Sequence, residues 1–205
     1  MTATATADAP ARPANRLGFV LLHIYVLGIC AVLLGGFLVQ FGRGEYPCPL
    51  CILQRMFMML AALGPVFVIA RSRSQAVTTR EFAAGYGMSI VASVCGAAVA
   101  ARHIMLHVKP PDPGYGSTVW GLHPYTWAFI TFTVAILAAG GSLALARELE
   151  PLDSRSTVLS TTVLWIFGAI VLANLLAVFA LEGLHWFLPG DPVHYQLLYD
   201  LGITS

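Results

Sequence analysis

The sequence predicts an all-α integral membrane protein, and three observations carry that reading. Hydrophobic residues make up 58% of the chain and charged residues only 10%, with a mean hydropathy of +0.77, a balance that excludes an ordinary soluble domain. The apolar residues fall into runs of about 20, the length a helix needs to cross a bilayer. Arginines gather in alternate connections between those runs, as the positive-inside pattern of multi-pass proteins requires. The net charge of +1 offers no electrostatic footprint for nucleic acid.

Taken in order, residues 1–16 are rich in Ala, Thr and Pro and are expected to be a disordered cytoplasmic N-terminus. They are too polar for the apolar core of a signal peptide, and Leu17 to Phe41 is too long for one, so no cleavage is expected. Leu17 to Phe41 is the first span. It contains His23, read as structural or interfacial, Gln40, and Cys30, read as a small packing hydrophobe. Gly42 to Pro49 is a short loop and Leu50 to Ala70 the second span. Phe82 to His107 is the third, rich in Gly, Ala and Ser, which let helices approach closely. Cys95 lies inside it and reads like Cys30. Lys109 to His123 forms a Pro/Gly-rich loop, and Pro124 to Ala146 the fourth span. A cytoplasmic connection follows and leads to a fifth span over Thr157 to Leu181, the two together occupying residues 147–182. Residues 183–205 are an aromatic periplasmic tail, expected on the membrane surface.

Orientation follows from charge. Arg12, Arg16, Arg71, Arg73, Arg80, Arg147 and Arg155 fall on one side, against Arg43 and Lys109 on the other. The N-terminus is therefore expected in the cytoplasm. The outer end of the second span then faces a compartment where disulfides persist.

That end carries the chemistry. Tyr46-Pro-Cys-Pro-Leu-Cys-Ile-Leu-Gln-Arg55 places Cys48 and Cys51 one turn apart where a helix begins. Pro47 and Pro49 suit a helix start, where a missing N–H does no harm. The helix dipole there favours a thiolate, the nucleophilic form of cysteine. Arg55, four residues beyond Cys51, shares its helix face and would stabilise a thiolate or the charge on a reduced acceptor. Three plainer readings compete. Structural zinc needs a full tetrahedral ligand set, and no second Cys-x-x-Cys or Cys/His cluster stands in the sequence, so no metal is expected. The thiols could be inert packing residues, and Arg55 could simply snorkel to the interface.

The segment Cys48-Pro-Leu-Cys-Ile-Leu-Gln-Arg55, closing one apolar span and opening the next, resembles the first redox motif of the disulfide bond formation protein B (DsbB) family. Ala101-Arg-His-Ile-Met-Leu-His107 resembles the end of that family's third span. The resemblance covers residues 17–146 and implies a DsbB-like four-helix bundle, to which this chain adds a fifth transmembrane helix. It implies a quinone-dependent protein-disulfide oxidoreductase of the bacterial inner membrane. Electrons would pass from a periplasmic DsbA-like thioredoxin-fold oxidase to the quinone pool, with ubiquinone or menaquinone as cofactor. By this resemblance Cys48 exchanges with the incoming thiol, Cys51 faces the quinone, Arg55 holds and polarises it, and His103 hydrogen-bonds a quinone oxygen or relays a proton. Gly121-Leu-His-Pro-Tyr-Thr-Trp127 resembles the start of the family's fourth span, where His123, Tyr125 and Trp127 are expected as interface-belt residues.

The chain departs from the family pattern in one important respect. Family members carry a second cysteine pair in the loop between spans three and four, and Lys109 to His123 has no cysteine. Cys30 and Cys95 are expected within spans and cannot replace it. A soluble partner would have to reach Cys48 directly or supply the missing pair, and exchange permits this if Cys48 is accessible. Two other classes stay open on sequence alone: a non-catalytic, partner-binding membrane module, and a thiol carrier running in the reductive direction.

Overall fold

The computed structural model describes residues 13–149, 157–185, 187 and 190–203. Arg12 and Arg155, and most of the expected N-terminal tail, lie outside the described residues. The described chain is helical: α1 (Pro13–Gly42), α2 (Pro49–Ser72), α3 (Thr79–Leu106), α4 (Pro124–Ala144), a one-turn α5 (Ala146–Leu149), α6 (Val158–Glu182) and a short α7 (Gln196–Asp200). Five of these helices are long and apolar enough to cross a membrane. The protein is an all-α integral membrane protein.

Helix ends sit where local chemistry puts them. Pro49 opens α2 and Cys48 is its N-cap, Sγ accepting from the Cys51 backbone N–H at 3.3 Å. The third helix begins at Thr79 rather than Phe82, because Thr78 and Glu81 form a capping box that satisfies the first-turn N–H groups. Arg71 closes that hairpin on Glu81 at 2.6 Å. The fourth helix ends before Ala146. The chain turns at Leu145 and one further helical turn tucks Leu149 against Gly18 of α1.

The most extensive helix pairing is α2 with α3, followed by α3 with α4. At the centre of the first pair Gly64 meets Gly85 backbone to backbone, so that a Cβ on Gly64 would collide with the Gly85 carbonyl oxygen. Small residues thus let polar backbone surfaces pack without lipid between them. Leu22, Val26, Leu33, Val68, Phe82, Tyr86 and Phe132 fill the core around this contact. α6 packs on α1 and is fixed by His23: Nδ1 donates to the Phe19 carbonyl at 2.6 Å, leaving Nε2 to accept from the Ser160 hydroxyl at 3.2 Å. His23 is therefore structural, as its sequence position suggested.

Cys30 is buried in the core, as expected. Cys95 differs from it: the thiol is exposed on the outer face of α3, because that position falls on the side of the helix away from α2 and α4. Beyond α6, Gly183 adopts φ +66°, a conformation that costs glycine little, and turns the chain back. The following segment does not lie free. Tyr195 packs on Tyr46 and Phe41 at ring distances of 5.2 and 6.4 Å.

Candidate redox site and its cavity

The α1–α2 loop and the start of α2 bring Cys48 and Cys51 together, with sulfurs 2.7 Å apart. One helical turn separates the two residues, so a helix start is sufficient to pair them. α3 then contributes His103, whose ring is 1% exposed. Its Nε2 lies 3.9 Å from Cys48 Sγ and its Nδ1 lies 3.2 Å from Gln54 Nε2. An amide nitrogen can only donate, so Gln54 leaves the imidazole proton on Nε2, directed at the Cys48 sulfur. The Cys51 hydrogen bond is the largest influence on Cys48 and, with the weaker His103 contact, overcomes burial and draws the thiol down to about 5. A thiol lowered in this way is favoured as the thiolate, the nucleophilic form.

Cys51 opens onto a cavity of about 400 Å³ between α1, α2, α4 and the loops at their ends. Its walls are mainly apolar; Gln40, Gln54 and Arg55 are among the polar members, with Arg43 and Glu45 also lining it, and Tyr115, Trp120, Tyr125 and Trp127 are among the aromatic ones. Arg55 reaches this wall through two bonds to α1: Nη1 donates to Gln40 Oε1 at 2.6 Å and Nη2 to the Gly36 carbonyl at 2.9 Å. The Phe37 ring lies 5.6 Å beneath the guanidinium. These contacts offset part of the desolvation a cation meets among apolar helices.

The structure brings Cys48, Cys51, Arg55 and His103 into one site. It separates them into two sides, however. Cys51 and Arg55 border the cavity, whereas His103 is not among its lining residues and faces the thiol, held there by Gln54. Tyr125 and Trp127, expected in the interface belt, also line the cavity. Tyr125 is buried with its ring 4.5 Å from that of His103. The α3–α4 loop is tied to this end of α4 by Trp127 Nε1 donating to the Val119 carbonyl at 2.9 Å. Gln40 and Gln54 escaped notice as site residues, although a buried glutamine in an apolar span is itself a signal of a polar partner.

Cys48 is only 5% exposed. The loop after α3 is fastened to the α1–α2 loop that precedes Cys48. Tyr115 Oη donates to the Tyr46 carbonyl at 2.8 Å, Arg43 Nη1 to Ser117 Oγ at 2.6 Å, and the Ser117 N–H to Glu45 Oε2 at 3.0 Å. The Ser117 hydroxyl makes a second bond to Glu45. Burial and the neighbouring sulfurs hold the Tyr115 phenol well above its usual range, so it remains a neutral donor.

A helical membrane bundle with a Cys-x-x-Cys at the start of one helix, a histidine against one sulfur and an arginine-edged cavity against the other belongs to the class of membrane dithiol proteins. Comparison with known proteins points to a family. The family model "Disulfide bond formation protein DsbB" matches residues 18–118, so this part of the chain is similar to the DsbB family. Disulfide bond formation protein B 1 of Pseudomonas fluorescens (strain Pf0-1) is 36% identical over 97 residues, covering 46% of this chain and 54% of that protein. Disulfide bond formation protein B of Chromohalobacter salexigens is 44% identical over 86 residues, 41% of this chain and 48% of that protein. The Burkholderia pseudomallei (strain 1106a) protein of the same name is 30% identical over 90 residues, 44% of this chain and 50% of that protein. The chain thus matches about half the length of these curated relatives. No solved structure matches it.

Proposed function

We propose that the protein is a membrane thiol:quinone oxidoreductase supporting protein disulfide bond formation. It takes electrons from a thioredoxin-fold thiol protein through Cys48 and Cys51. The observation that carries this reading is the division of the site, with one sulfur beside a proton-donating imidazole and the other on an apolar cavity edged by Arg55. The cavity fits a quinone headgroup in kind: apolar and aromatic walls, with Arg55 and Gln54 as hydrogen-bond donors. A bound ubiquinone or menaquinone would supply the two-electron, two-proton acceptor that the dithiol requires.

The chain's own residues account for exchange. With Cys48 and Cys51 joined as a disulfide, a partner thiolate attacks Cys48 Sγ, the Cys48–Cys51 bond breaks, and Cys51 leaves as the thiolate. The partner's second thiolate then attacks its own sulfur in the mixed disulfide and releases Cys48. A Cys48 thiol held near 5 is a good leaving group in that step, because departing thiolates of low pKa leave faster. His103 donates to the departing sulfur, and Gln54 keeps the imidazole in the tautomer that can do so. Arg55 lies on the Cys51 side, where negative charge develops first.

The arginine pattern supports an inner-membrane location with the N-terminus in the cytoplasm and Cys48/Cys51 toward the periplasm. The test is thiol trapping of Cys48 and Cys51 in native membranes, with and without quinone biosynthesis. The pair should be oxidised when quinone is present and accumulate reduced when it is not. A redox state indifferent to quinone refutes the reading, as does thiol-dependent quinone reduction that survives Cys48→Ser or Cys51→Ser.

Burial of Cys48, next to loops fastened to each other, favours a second reading, a partner-binding module without turnover. A chain with serine at both positions would then still support the host's disulfide-dependent phenotypes.

A further inference from the structure

We infer that Tyr195, in the segment after the fifth span, is a positioning residue that sets Arg55 for its ligand by orienting Gln40; the inference rests on the quinone reading above. The segment lies outside the residues that match the family. Asp200 accepts from His185 Nε2 at 3.0 Å and from Gln196 Nε2 at 2.8 Å, closing the return after Gly183. A side chain at Gly183 would press on the Leu197 backbone as well as strain its positive φ.

This return delivers Tyr195 to the outer end of α1. Its ring packs on Phe41 and Tyr46, and its Oη accepts from Gln40 Nε2 at 3.0 Å. Gln40 is 3% exposed, so its amide has little access to water. An amide presents a donor on one arm and an acceptor on the other. With the donor arm engaged by Tyr195, Oε1 must face Arg55, which it meets at 2.6 Å. Without the Tyr195 hydroxyl the amide can turn over and set its own N–H groups against the guanidinium. Arg55 would then lose one of the two bonds that hold it on the cavity wall, keeping only the Gly36 carbonyl. A guanidinium carries more donors than this clamp uses, so fixing it in place presents the remainder to an acceptor in the cavity.

Tyr195→Phe removes the hydroxyl and keeps the ring that packs on Phe41 and Tyr46. The experiment titrates the purified full chain with a short-chain ubiquinone, following quenching of tryptophan fluorescence, since Trp120 and Trp127 line the cavity. In parallel it measures KM and kcat for thiol-dependent reduction of the same quinone. Tyr195→Phe should weaken binding about fivefold, the worth of roughly one hydrogen bond. It should raise KM to match while kcat and the melting temperature hold. Gln40→Leu should weaken binding at least as much, and the double variant no more than Gln40→Leu alone. Unchanged binding in Tyr195→Phe against a normal wild-type titration overturns the positioning role alone. So does a fall in kcat and melting temperature without a KM shift. Absence of saturable quenching in the wild type overturns this inference and the quinone reading together.

Discussion

His103 Nε2 lies 3.9 Å from the Sγ of Cys48, a residue 55 positions earlier in the chain. The contact links the outer ends of α2 and α3 at the point where the Cys-x-x-Cys motif begins. It gives Cys48 a hydrogen-bond donor in a place that water reaches poorly. The thiol's acidity therefore depends on an adjacent helix as well as on its own helix start.

The pH dependence of Cys48 reactivity follows. In the reduced protein, alkylation of Cys48 by iodoacetamide, read by peptide mass spectrometry, should hold its rate down to about pH 5 and fall below it as the thiolate is protonated. A lowered thiol pKa leaves more thiolate at every pH between the folded value and the ordinary one. His103→Ala removes a contact that lowers the pKa, so its profile should move to higher pH. Cys51→Ala removes the largest contribution and should move it further. Superimposed profiles for wild type and His103→Ala would show that the imidazole does not act on the sulfur.

Access to Cys48 should depend on the fastened loop. Glu45→Ala removes both bonds to Ser117, each worth about 1 kcal/mol. If the loop must lift for a partner to enter, alkylation of Cys48 by a bulky maleimide should accelerate about fivefold or more, because opening becomes that much more frequent. An unchanged rate would show that opening of this loop does not control access to Cys48.

The α2–α3 contact should tolerate no side chain at its centre. Gly64→Leu places a branched group against the Gly85 backbone. It should lower the melting temperature in detergent, at a cost of at least ~1–3 kcal/mol. Gly87, which has open space around its Cβ direction, is the control. Gly87→Ala, inside α3 with room for its methyl, should leave stability unchanged or raise it by up to about 1 kcal/mol. Equal effects at the two glycines would contradict the packing described.

The two cysteines outside the motif should respond differently. Cys30→Ser puts a hydroxyl into the core and should destabilise by ~1–3 kcal/mol. Cys95→Ala, on an exposed face, should be near neutral. Thermal unfolding in detergent compares them directly, and a sensitive Cys95 would indicate a partner on that face.

The number of spans, the loops between them and the pairing of Cys48 with Cys51 follow from the sequence, because each depends on local properties. Apolar run length sets a helix that crosses a bilayer, Pro49 sets a helix start, and a three-residue spacing sets one turn. Arg55 shares the Cys51 face for the same reason. The capping box that starts α3 at Thr79 was also local and legible, but apolar patterning alone placed the start later.

Tertiary packing alone decided which polar side chains converge. Nothing local tells His103 to turn toward a sulfur rather than a cavity, or Tyr125 to pack its ring against His103. Those choices depend on how closely α2, α3 and α4 approach, which the Gly64–Gly85 and Gly96–Phe132 contacts determine. The buried state of Cys48 and the return of Tyr195 to Gln40 likewise join segments far apart in sequence. The reason is physical: a polar group shielded from water must find its partner wherever the packed helices supply one, and sequence spacing carries no record of that partner.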